Sequence, residues 1–318
     1  MKKILFLLLF LLSLFIVRVV VVDAMLDVIN YSSYYWKQSY TIDSNTTKPP
    51  RYVKILDIHY ENGLKLLSTT FKSVPKKKIV PVLYIDNGTF LSVRATTLLE
   101  KVLSRLKKLP KRLEYSELQI DCDWTAKSQK RYFEFLKKLR DATHKELSAT
   151  IRLHQIKYYQ KTGVPPVDSG VLMYYNMSDF LDTQTKNYIL DLKVAKRYHY
   201  NFKEYPLPLD LALPLYSQAT ILRFSKVVGL IEGVRAKDIT KEFKALDENH
   251  YKVLNTHYFK KHLLYEEDTL RIDEVSVEDL QKAINQLKKV MKKPNHIIFY
   301  RWGNKQEYPK DFEEKLVW

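Results

Sequence analysis

The sequence lacks the residues on which several classes of protein depend. Only one of its 318 residues, Cys122, is a cysteine, so the chain forms no internal disulfide. It has seven glycines, and no group of them forms the glycine-rich loop of a P-loop or dinucleotide-binding site. No histidines and cysteines are spaced closely enough to predict a zinc site. Hydrophobic residues make up 46% of the chain, which is enough for a large core.

The chain is strongly basic, with a formal net charge of +17. Such a charge often indicates nucleic-acid binding. Here many lysines come as pairs on the polar faces of predicted helices: Lys107-Lys108, Lys137-Lys138, Lys288-Lys289 and Lys292-Lys293. This spread is typical of solvated surface, so we predict no nucleic-acid partner. Attraction to an anionic envelope surface or polysaccharide stays open.

The N-terminal residues, 1–24, read MKKILFLLLFLLSLFIVRVVVVDA. Two lysines precede an apolar run, Ile4–Val22, which Arg18 interrupts. This is the pattern of a signal peptide, with Val22 and Ala24 as small residues before a cleavage site. The alternative is an uncleaved anchor, since the run approaches membrane-spanning length if the arginine reaches the interface. We therefore predict an exported protein, periplasmic or extracellular, that is either free or held by an N-terminal membrane anchor.

Eight short apolar runs bounded by polar, proline or glycine residues predict buried parallel strands. They are Ser33–Lys37, Tyr52–His59, Ile79–Asp86, Leu118–Trp124, Leu147–His154, Val171–Asn176, Leu209–Tyr216 and His296–Trp302. Segments with leucine at helical spacing separate several of them, and this alternation favours a parallel α/β fold. Eight strands indicate a closed (β/α)8 TIM-type barrel over residues 30–318.

The stretch between the seventh and eighth predicted strands is too long for a single crossover helix. It begins with a predicted hairpin, FSKVVGLIEGVRAKDI, and continues with two extended segments, YKVLNTHYF and DTLRIDEVSV. A Ser-x-x-Asp capping box at Ser276 and Asp279 then starts the last helix. We predict an inserted α+β subdomain over residues 218–275, after strand seven of the barrel.

Polar and aromatic residues are concentrated at the carboxyl ends of the predicted strands, where barrels of this kind place their functional groups. In ELQIDCDWT, strand alternation directs Asp121 and Asp123 to the same face. Carboxylates beside flat rings suit a sugar site, because acids bind hydroxyls and rings stack on pyranose faces. Taken singly, each residue also has a structural explanation, such as a helix cap. The candidates are Asp57, Asp86, Asp121, Asp123, Trp124, Arg152, His154, Tyr175, Asn176, Tyr216 and Trp302.

Three strand motifs resemble those of family 18 glycoside hydrolases, the chitinase-like barrels. LQIDCDWT resembles the D-x-D-x-E strand of that family, LMYYNM is similar to its M-x-Y-(D/N) strand, and LALPLYS is similar to its L-x-L-P-x-Y-G strand. The motifs follow the order found in the family, and the matches span residues 118–302. The chain is also similar to exported bacterial barrel proteins of unassigned activity.

The resemblance implies roles for individual residues. Asp121 and Asp123 would be the paired acids beneath the sugar, and Asp123 would orient the N-acetyl group whose carbonyl attacks the anomeric carbon. The rings expected around the sugar are those of Tyr175, Tyr216 and Trp302, or of Tyr300 in place of Trp302 if the register shifts by two.

The sequence departs from the family at the catalytic glutamate, whose position holds Thr125. A threonine hydroxyl does not donate a proton near neutral pH. Either the protein binds sugar without hydrolysing it, or another group protonates the leaving oxygen. Asp86 and His154 are the candidates for that group, so the catalytic set would comprise them together with Asp121 and Asp123.

We therefore predict a carbohydrate-active barrel that is either a diverged glycoside hydrolase or a sugar-binding pseudoenzyme, with a glycan as its ligand. The alternative is a non-catalytic structural or assembly protein of the cell envelope, in which the strand-end acids cap helices and pair with Arg152. The DCD triplet also resembles the DxD of metal-dependent glycosyltransferases, but three residues are a weak motif. We expect no cofactor and no metal.

Overall fold

The computed structural model describes residues 29–43, 45–183 and 185–318. The strands among these residues are β1 Asn30–Tyr35, β2 Ser39–Tyr40, β3 Tyr52–Tyr60, β4 Leu64–Ser68, β5 Thr70–Phe71, β6 Val80–Ile85, β7 Glu117–Asp121, β8 Glu146–Ile151, β9 Ser169–Met173, β10 Leu209–Pro214, β11 Gln218–Arg223, β12 Lys226–Glu232, β13 Phe243–Ala245, β14 His250–Val253, β15 His257–Phe259, β16 His262–Leu264, β17 Thr269–Asp273 and β18 His296–Tyr300. The helices are α1 Asn87–Ser92, α2 Ala95–Leu106, α3 Gln129–Thr143, α4 Leu153–Lys157, α5 Tyr159–Thr162, α6 Leu192–Lys196 and α7 Val277–Leu287. Short 3₁₀ helices occupy Ala236–Asp238 and Trp302–Glu307.

Eight parallel strands close into a barrel. Their order around the barrel is β1, β3, β6, β7, β8, β9, β10 and β18, and β1 closes the ring by pairing with both β18 and β3. The antiparallel strand β4 lies outside the ring against β3. Each of the eight predicted strands corresponds to one barrel strand, with ends that differ by a few residues, so the predicted (β/α)8 barrel is confirmed.

Helices cover the outside of the barrel with their apolar faces. In α2 the buried residues include Leu98 and Val102, which follow the helical repeat. The capping box that begins α7 is formed as predicted, because the Ser276 hydroxyl accepts from the Asp279 N–H at 3.1 Å and the Asp279 carboxylate accepts from the Ser276 N–H at 3.1 Å. None of the helices described is long and apolar enough to cross a membrane, and the predicted N-terminal segment, 1–24, lies outside the described residues.

The barrel interior contains a connected set of polar side chains. The Tyr34 hydroxyl donates to Gln119 Oε1 at 2.7 Å, Gln119 Nε2 donates to Ser148 Oγ at 3.3 Å, and Ser148 Oγ donates to Glu117 Oε1 at 2.6 Å. Tyr34, Gln119 and Ser148 are buried, and burial without these partners would cost free energy. These hydrogen-bonded side chains therefore occupy the middle of the barrel, between its two ends.

The segment after β10 folds into a second sheet with its own core. Its strands follow the order β12, β11, β17, β14 and β13, and the hairpin of β15 and β16 covers one face. We expected helix as well as strand here, but the described residues from 218 to 273 form strands and one 3₁₀ turn. β12 lies within the predicted hairpin, and its side chains alternate between exposed and more buried positions with the period of a strand.

Two buried charges attach this insertion to the barrel. Arg271 and Asp273 on β17 are fully buried and lie 3.1 Å apart, from Nε to Oδ1. Arg271 Nη1 donates to the Asp182 carbonyl at 3.1 Å, and Asp273 Oδ1 accepts from the Tyr188 N–H at 3.1 Å. Both contacts are to the segment that follows β9, so the insertion borders the carboxyl end of the barrel.

Candidate functional site

The site is built at the carboxyl end of the barrel, which we call the mouth, and its centre is the end of β7. Asp121 is the last residue of the strand, and its Oδ1 accepts a hydrogen bond from Thr150 Oγ1 at 2.7 Å. Burial, reinforced by the negative charge of Asp123, raises the pKa of Asp121 to about 6. This carboxyl group can therefore hold a proton in mildly acidic solution.

Residues that alternate with these acids face the opposite way. Cys122 and Trp124 are buried outside the barrel, where the Trp124 ring lies 5.3 Å from the Tyr132 ring of α3. Its indole N–H donates to the Thr162 carbonyl at 3.0 Å. The prediction that Trp124 contacts a substrate is therefore wrong, because strand alternation gives it the face opposite to Asp123.

Asp123 does lie at the mouth, but it is engaged by a cation. Arg152 donates to both of its oxygens, from Nε at 2.7 Å and from Nη2 at 2.8 Å. Desolvation at the strand end tends to raise the pKa of Asp123, but these hydrogen bonds and the positive charge bring it below the usual value. Arg152 Nη1 also lies 3.3 Å from the Tyr175 carbonyl. The two side chains form one fixed, bidentate unit.

Asp57 is a partner of a buried lysine rather than an exposed group of the mouth. Its Oδ2 accepts from Lys54 Nζ at 2.8 Å and also from the Gln38 amide, and both charged residues are 6% exposed. The Lys54 ammonium lies 5.1 Å from the centroid of the Trp36 ring. This pair brings a balanced charge into the wall of the mouth.

The two residues proposed as alternative proton donors have different positions. Asp86 caps α1, because its Oδ1 accepts from the Thr89 N–H at 2.6 Å and its Oδ2 accepts from the Tyr60 N–H at 3.1 Å. These two bonds engage both carboxylate oxygens in the local backbone, so the structure argues against Asp86 as a proton donor to a substrate. His154 lies in the first turn of α4, exposed to solvent.

Aromatic rings form the floor of the mouth, with Tyr300 at their centre. The Tyr300 ring stacks on Tyr175 at 5.4 Å and meets the edges of Trp36 at 5.6 Å and Tyr216 at 5.7 Å. The ring of Tyr84 lies 6.3 Å from that of Trp36. Tyr300 thus takes the position expected for Trp302, which instead begins the 3₁₀ helix and is half-buried against the core.

Two of these rings were missed in the sequence. Trp36 lies within the first predicted strand, Ser33–Lys37, but the observed strand β1 ends at Tyr35, and this places Trp36 at the mouth. Tyr84 precedes Asp86 by two positions, and strand alternation could have identified it. Its register partner in the barrel is Asp121, and burial raises the pKa of Tyr84 to about 12.

A cavity of about 290 Å³ opens between the mouth and the insertion. Tyr216, Tyr300 and Tyr188 line it together with Asn176, whose side-chain oxygen accepts from the Tyr216 hydroxyl. Ser217 also lines it, and its buried hydroxyl has no hydrogen-bond partner among the described residues. A buried hydroxyl without a partner is costly, so this cavity is suited to a polar ligand.

Other features of the described residues do not converge on the mouth. A larger concavity, of about 530 Å³, lies at the opposite end of the barrel. No group of three or more His, Cys, Asp and Glu side chains is arranged to hold a metal ion within the part of the chain that the structure describes.

The fold is similar to that of known enzymes. A chitinase from Chromobacterium violaceum superimposes with a TM-score of 0.55 at 11% identity, over 91% of this chain and 98% of that chain. The Bacillus cereus spore cortex-lytic enzyme SleL superimposes with a TM-score of 0.52 at 12% identity, over 90% of this chain and 73% of that one. No family description and no curated protein matches the sequence. The chain thus shares its barrel fold with these two enzymes, and the resemblance drawn from the strand motifs is confirmed for the fold.

Proposed function

We propose that this protein binds a carbohydrate chain at the mouth of the barrel. The observation that carries the proposal is the floor of rings around Tyr300, beside the raised pKa of Asp121 and the cavity with the unpartnered Ser217 hydroxyl. Flat rings supply stacking surface for pyranose faces, and the polar groups at the rim supply hydrogen bonds to hydroxyls. A non-catalytic structural protein would have no need of this combination.

The class of sugar that fits best is an N-acetylated glycan. Two of its structural neighbours are a chitinase and a spore cortex-lytic enzyme, and the sequence motifs resemble the family in which an N-acetyl group takes part in the reaction. Asn176 and Tyr216 offer an amide and a hydroxyl beside the ring floor, which suits an acetamido group. We include export in the proposal, since residues 1–24 have the pattern of a signal peptide or anchor.

The arrangement of the acids favours binding over hydrolysis. Asp123 is neutralised by Arg152, Asp86 caps a helix, and Thr125 is an exposed residue without an ionisable group. General acid catalysis needs a protonated group within hydrogen-bond reach of the leaving oxygen. Of the two carboxyl groups at the end of β7, that of Asp121 has a pKa that allows it to hold a proton near pH 6, whereas the pKa of Asp123 lies below its usual value.

Hydrolysis is the second candidate function, and the raised pKa of Asp121 is the observation that favours it. In this alternative Asp121 would donate the proton, and the rate would fall above about pH 6 as the carboxyl group ionises. The Asp121→Asn variant would then lose hydrolysis and keep binding. A binding protein would show no hydrolysis at any pH.

The test is a glycan array followed by titration of the full chain with N-acetylglucosamine oligomers and, for contrast, with glucose oligomers. Tyr300→Leu removes the central ring and keeps apolar volume, so we expect at least a tenfold loss of affinity. Tyr258→Leu, on an exposed ring of the insertion, is the matched control and should bind normally. The proposal fails if no glycan binds, or if Tyr300→Leu binds as tightly as the native protein and the Tyr258→Leu control.

A further inference from the structure

The positive charge of the molecule is concentrated at one end. Four segments that lead into barrel strands, 46–51, 72–79, 107–116 and 288–295, contain fourteen lysine and arginine residues and one glutamate. They supply +13 of the net charge of +17. In sequence these residues look dispersed, but all four segments precede the amino ends of parallel strands, which share one end of the barrel. We call this end the base.

Contacts place the basic segments side by side. The concavity of about 530 Å³ at the base is lined by Arg51, Lys292 and Lys293 of these segments, together with Lys203 and three acidic residues of the strand ends, Glu117, Glu146 and Asp210. A neighbouring concavity of about 250 Å³ is lined by Arg51 and by Lys76–Lys78. Arg51 therefore borders both. The segment before β7 joins them through the hydrogen bond from the Ile79 N–H to the Glu114 carbonyl at 3.1 Å.

Most of these charges are solvent-exposed rather than used inside the protein. Lys76, Lys77, Lys111, Lys288 and Lys292 are exposed, in contrast to the buried Lys54 of the mouth. Like charges held close together repel one another, so such a surface is destabilising unless it meets an anionic partner. The exposed lysines come from several segments around one end of the barrel, which fits an extended anionic surface.

The apolar N-terminal segment is connected to the barrel at the base. Strand β1 begins at Asn30, which pairs with His296 at the amino end of the barrel. The apolar run ends at Val22, and the seven residues between it and Asn30, which make eight Cα–Cα steps, can span at most roughly 28 Å. An apolar segment that enters a bilayer would therefore hold the base, and not the mouth, close to the lipid head groups.

We propose that the base docks on the surface of an anionic phospholipid bilayer and directs the mouth away from it. Each basic residue near such a surface strengthens association by about fivefold, so several together hold the barrel in one orientation. The attraction falls off within a Debye length, about 10 Å at 0.1 M salt and about 3 Å at 1 M. The proposal is independent of what the mouth binds.

The experiment uses the full chain reconstituted into vesicles of phosphatidylcholine alone or with 30% phosphatidylglycerol, labelled with a membrane-impermeant amine reagent. Mass spectrometry gives the ratio of labelling at base lysines such as Lys76 and Lys108 to labelling at Lys237, Lys244 and Lys261 of the insertion. We expect this ratio to fall about fivefold in the anionic vesicles and to recover in 1 M salt. Equal ratios in the two kinds of vesicle would overturn the proposal.

Two matched variants sharpen the result. Replacing Lys77, Lys111, Lys288 and Lys292 with glutamate should restore labelling of the remaining base lysines in anionic vesicles. Replacing Lys226, Lys237, Lys244 and Lys261 with glutamate makes the same change of charge on the insertion, so protection of the base lysines should persist. Because this variant lacks the reference lysines of the insertion, labelling of the base is compared with labelling of Lys130 and Lys137. Protection of the base by added DNA or an anionic polysaccharide, with none by anionic lipid, would contradict a membrane partner and assign that polymer instead.

Discussion

The two ends of the barrel use charge in opposite ways. The segments that follow the eight barrel strands at the mouth carry nine basic and seven acidic residues, whereas the four defined above for the base, which lead into half of the strands, carry fourteen and one. The mouth segments are 36–38, 61–63, 86–94, 122–128, 152–162, 174–191, 215–217 and 301–307. At the mouth, Lys54 and Arg152 each hold a specific carboxylate. The net charge of the chain thus describes its base and carries no information about the ligand of its mouth.

The largest expected effect comes from breaking the charge balance of the mouth. Lys54→Met leaves the buried Asp57 without its cation, so we expect the free energy of unfolding to fall by about 3–5 kcal/mol. Denaturant unfolding measures the loss. Lys77→Met at the base is the control, and its effect should lie within about 0.5 kcal/mol because the side chain is exposed.

A double variant tests the cause. Lys54→Met combined with Asp57→Leu removes both charges and should recover most of the lost stability. If Lys54→Met lowers the free energy of unfolding no more than Lys77→Met does, the charge at the mouth is not buried and paired as described.

The next effect concerns pH. The pKa of Asp121 in the folded protein, about 6, lies above its value in an unfolded chain, so ionisation disfavours the folded state. The resulting penalty is absent below about pH 4, develops as pH rises to about 6, and is complete above it, where it amounts to about 2–3 kcal/mol. Asp121→Asn should therefore be more stable than the native protein at pH 8 and equal to it at pH 3.5. Unfolding curves at the two pH values check this, and a constant difference would contradict the assigned pKa.

The smallest effect should come from the cavity beside the mouth. Ser217→Ala removes a buried hydroxyl that has no partner, so stability should stay the same or rise slightly, while affinity for an N-acetylglucosamine oligomer should fall by about fivefold. Titration with the oligomer measures the affinity, and thermal unfolding of the same preparation measures the stability. Thr89→Ala is the control, since Thr89 Oγ1 is also buried and unpartnered but lies on α1 away from this cavity. A similar loss of affinity in both variants would rule out a direct contact from Ser217.

The sequence was sufficient to predict the barrel, because its strands are apolar runs bounded by polar residues and the strand-end residues follow from them. It was insufficient where one residue changes the alternation. A shift of register in β3 between Lys54 and Leu56 brings Lys54 and Asp57, three positions apart, to the same side. Simple alternation separates such residues, so the pair could not be predicted.

The basic base also escaped prediction, for a reason of topology. Lys76–Lys78 and Lys292-Lys293 are more than 200 positions apart. The parallel direction of the strands places both segments at one end of the barrel, and closure of the ring through β1 and β18 brings them towards each other around it. Trp124 was assigned to the wrong face although alternation from Asp123 already placed it on the other. The cluster of basic residues depends on tertiary structure, which the sequence does not show directly. The face of Trp124, in contrast, follows from strand alternation once Asp123 is placed at the mouth.

Amide hydrogen exchange of the full chain, with and without a saturating N-acetylglucosamine hexamer, tests most directly whether the mouth is the glycan site. A glycan bound at the mouth should slow exchange in the mouth segment 174–191 and in residues 299–304 around Tyr300, and should leave exchange unchanged in the base segments 72–79 and 288–295. Protection of the base alone, or of neither end at millimolar hexamer, would contradict the assignment of the mouth as the glycan site.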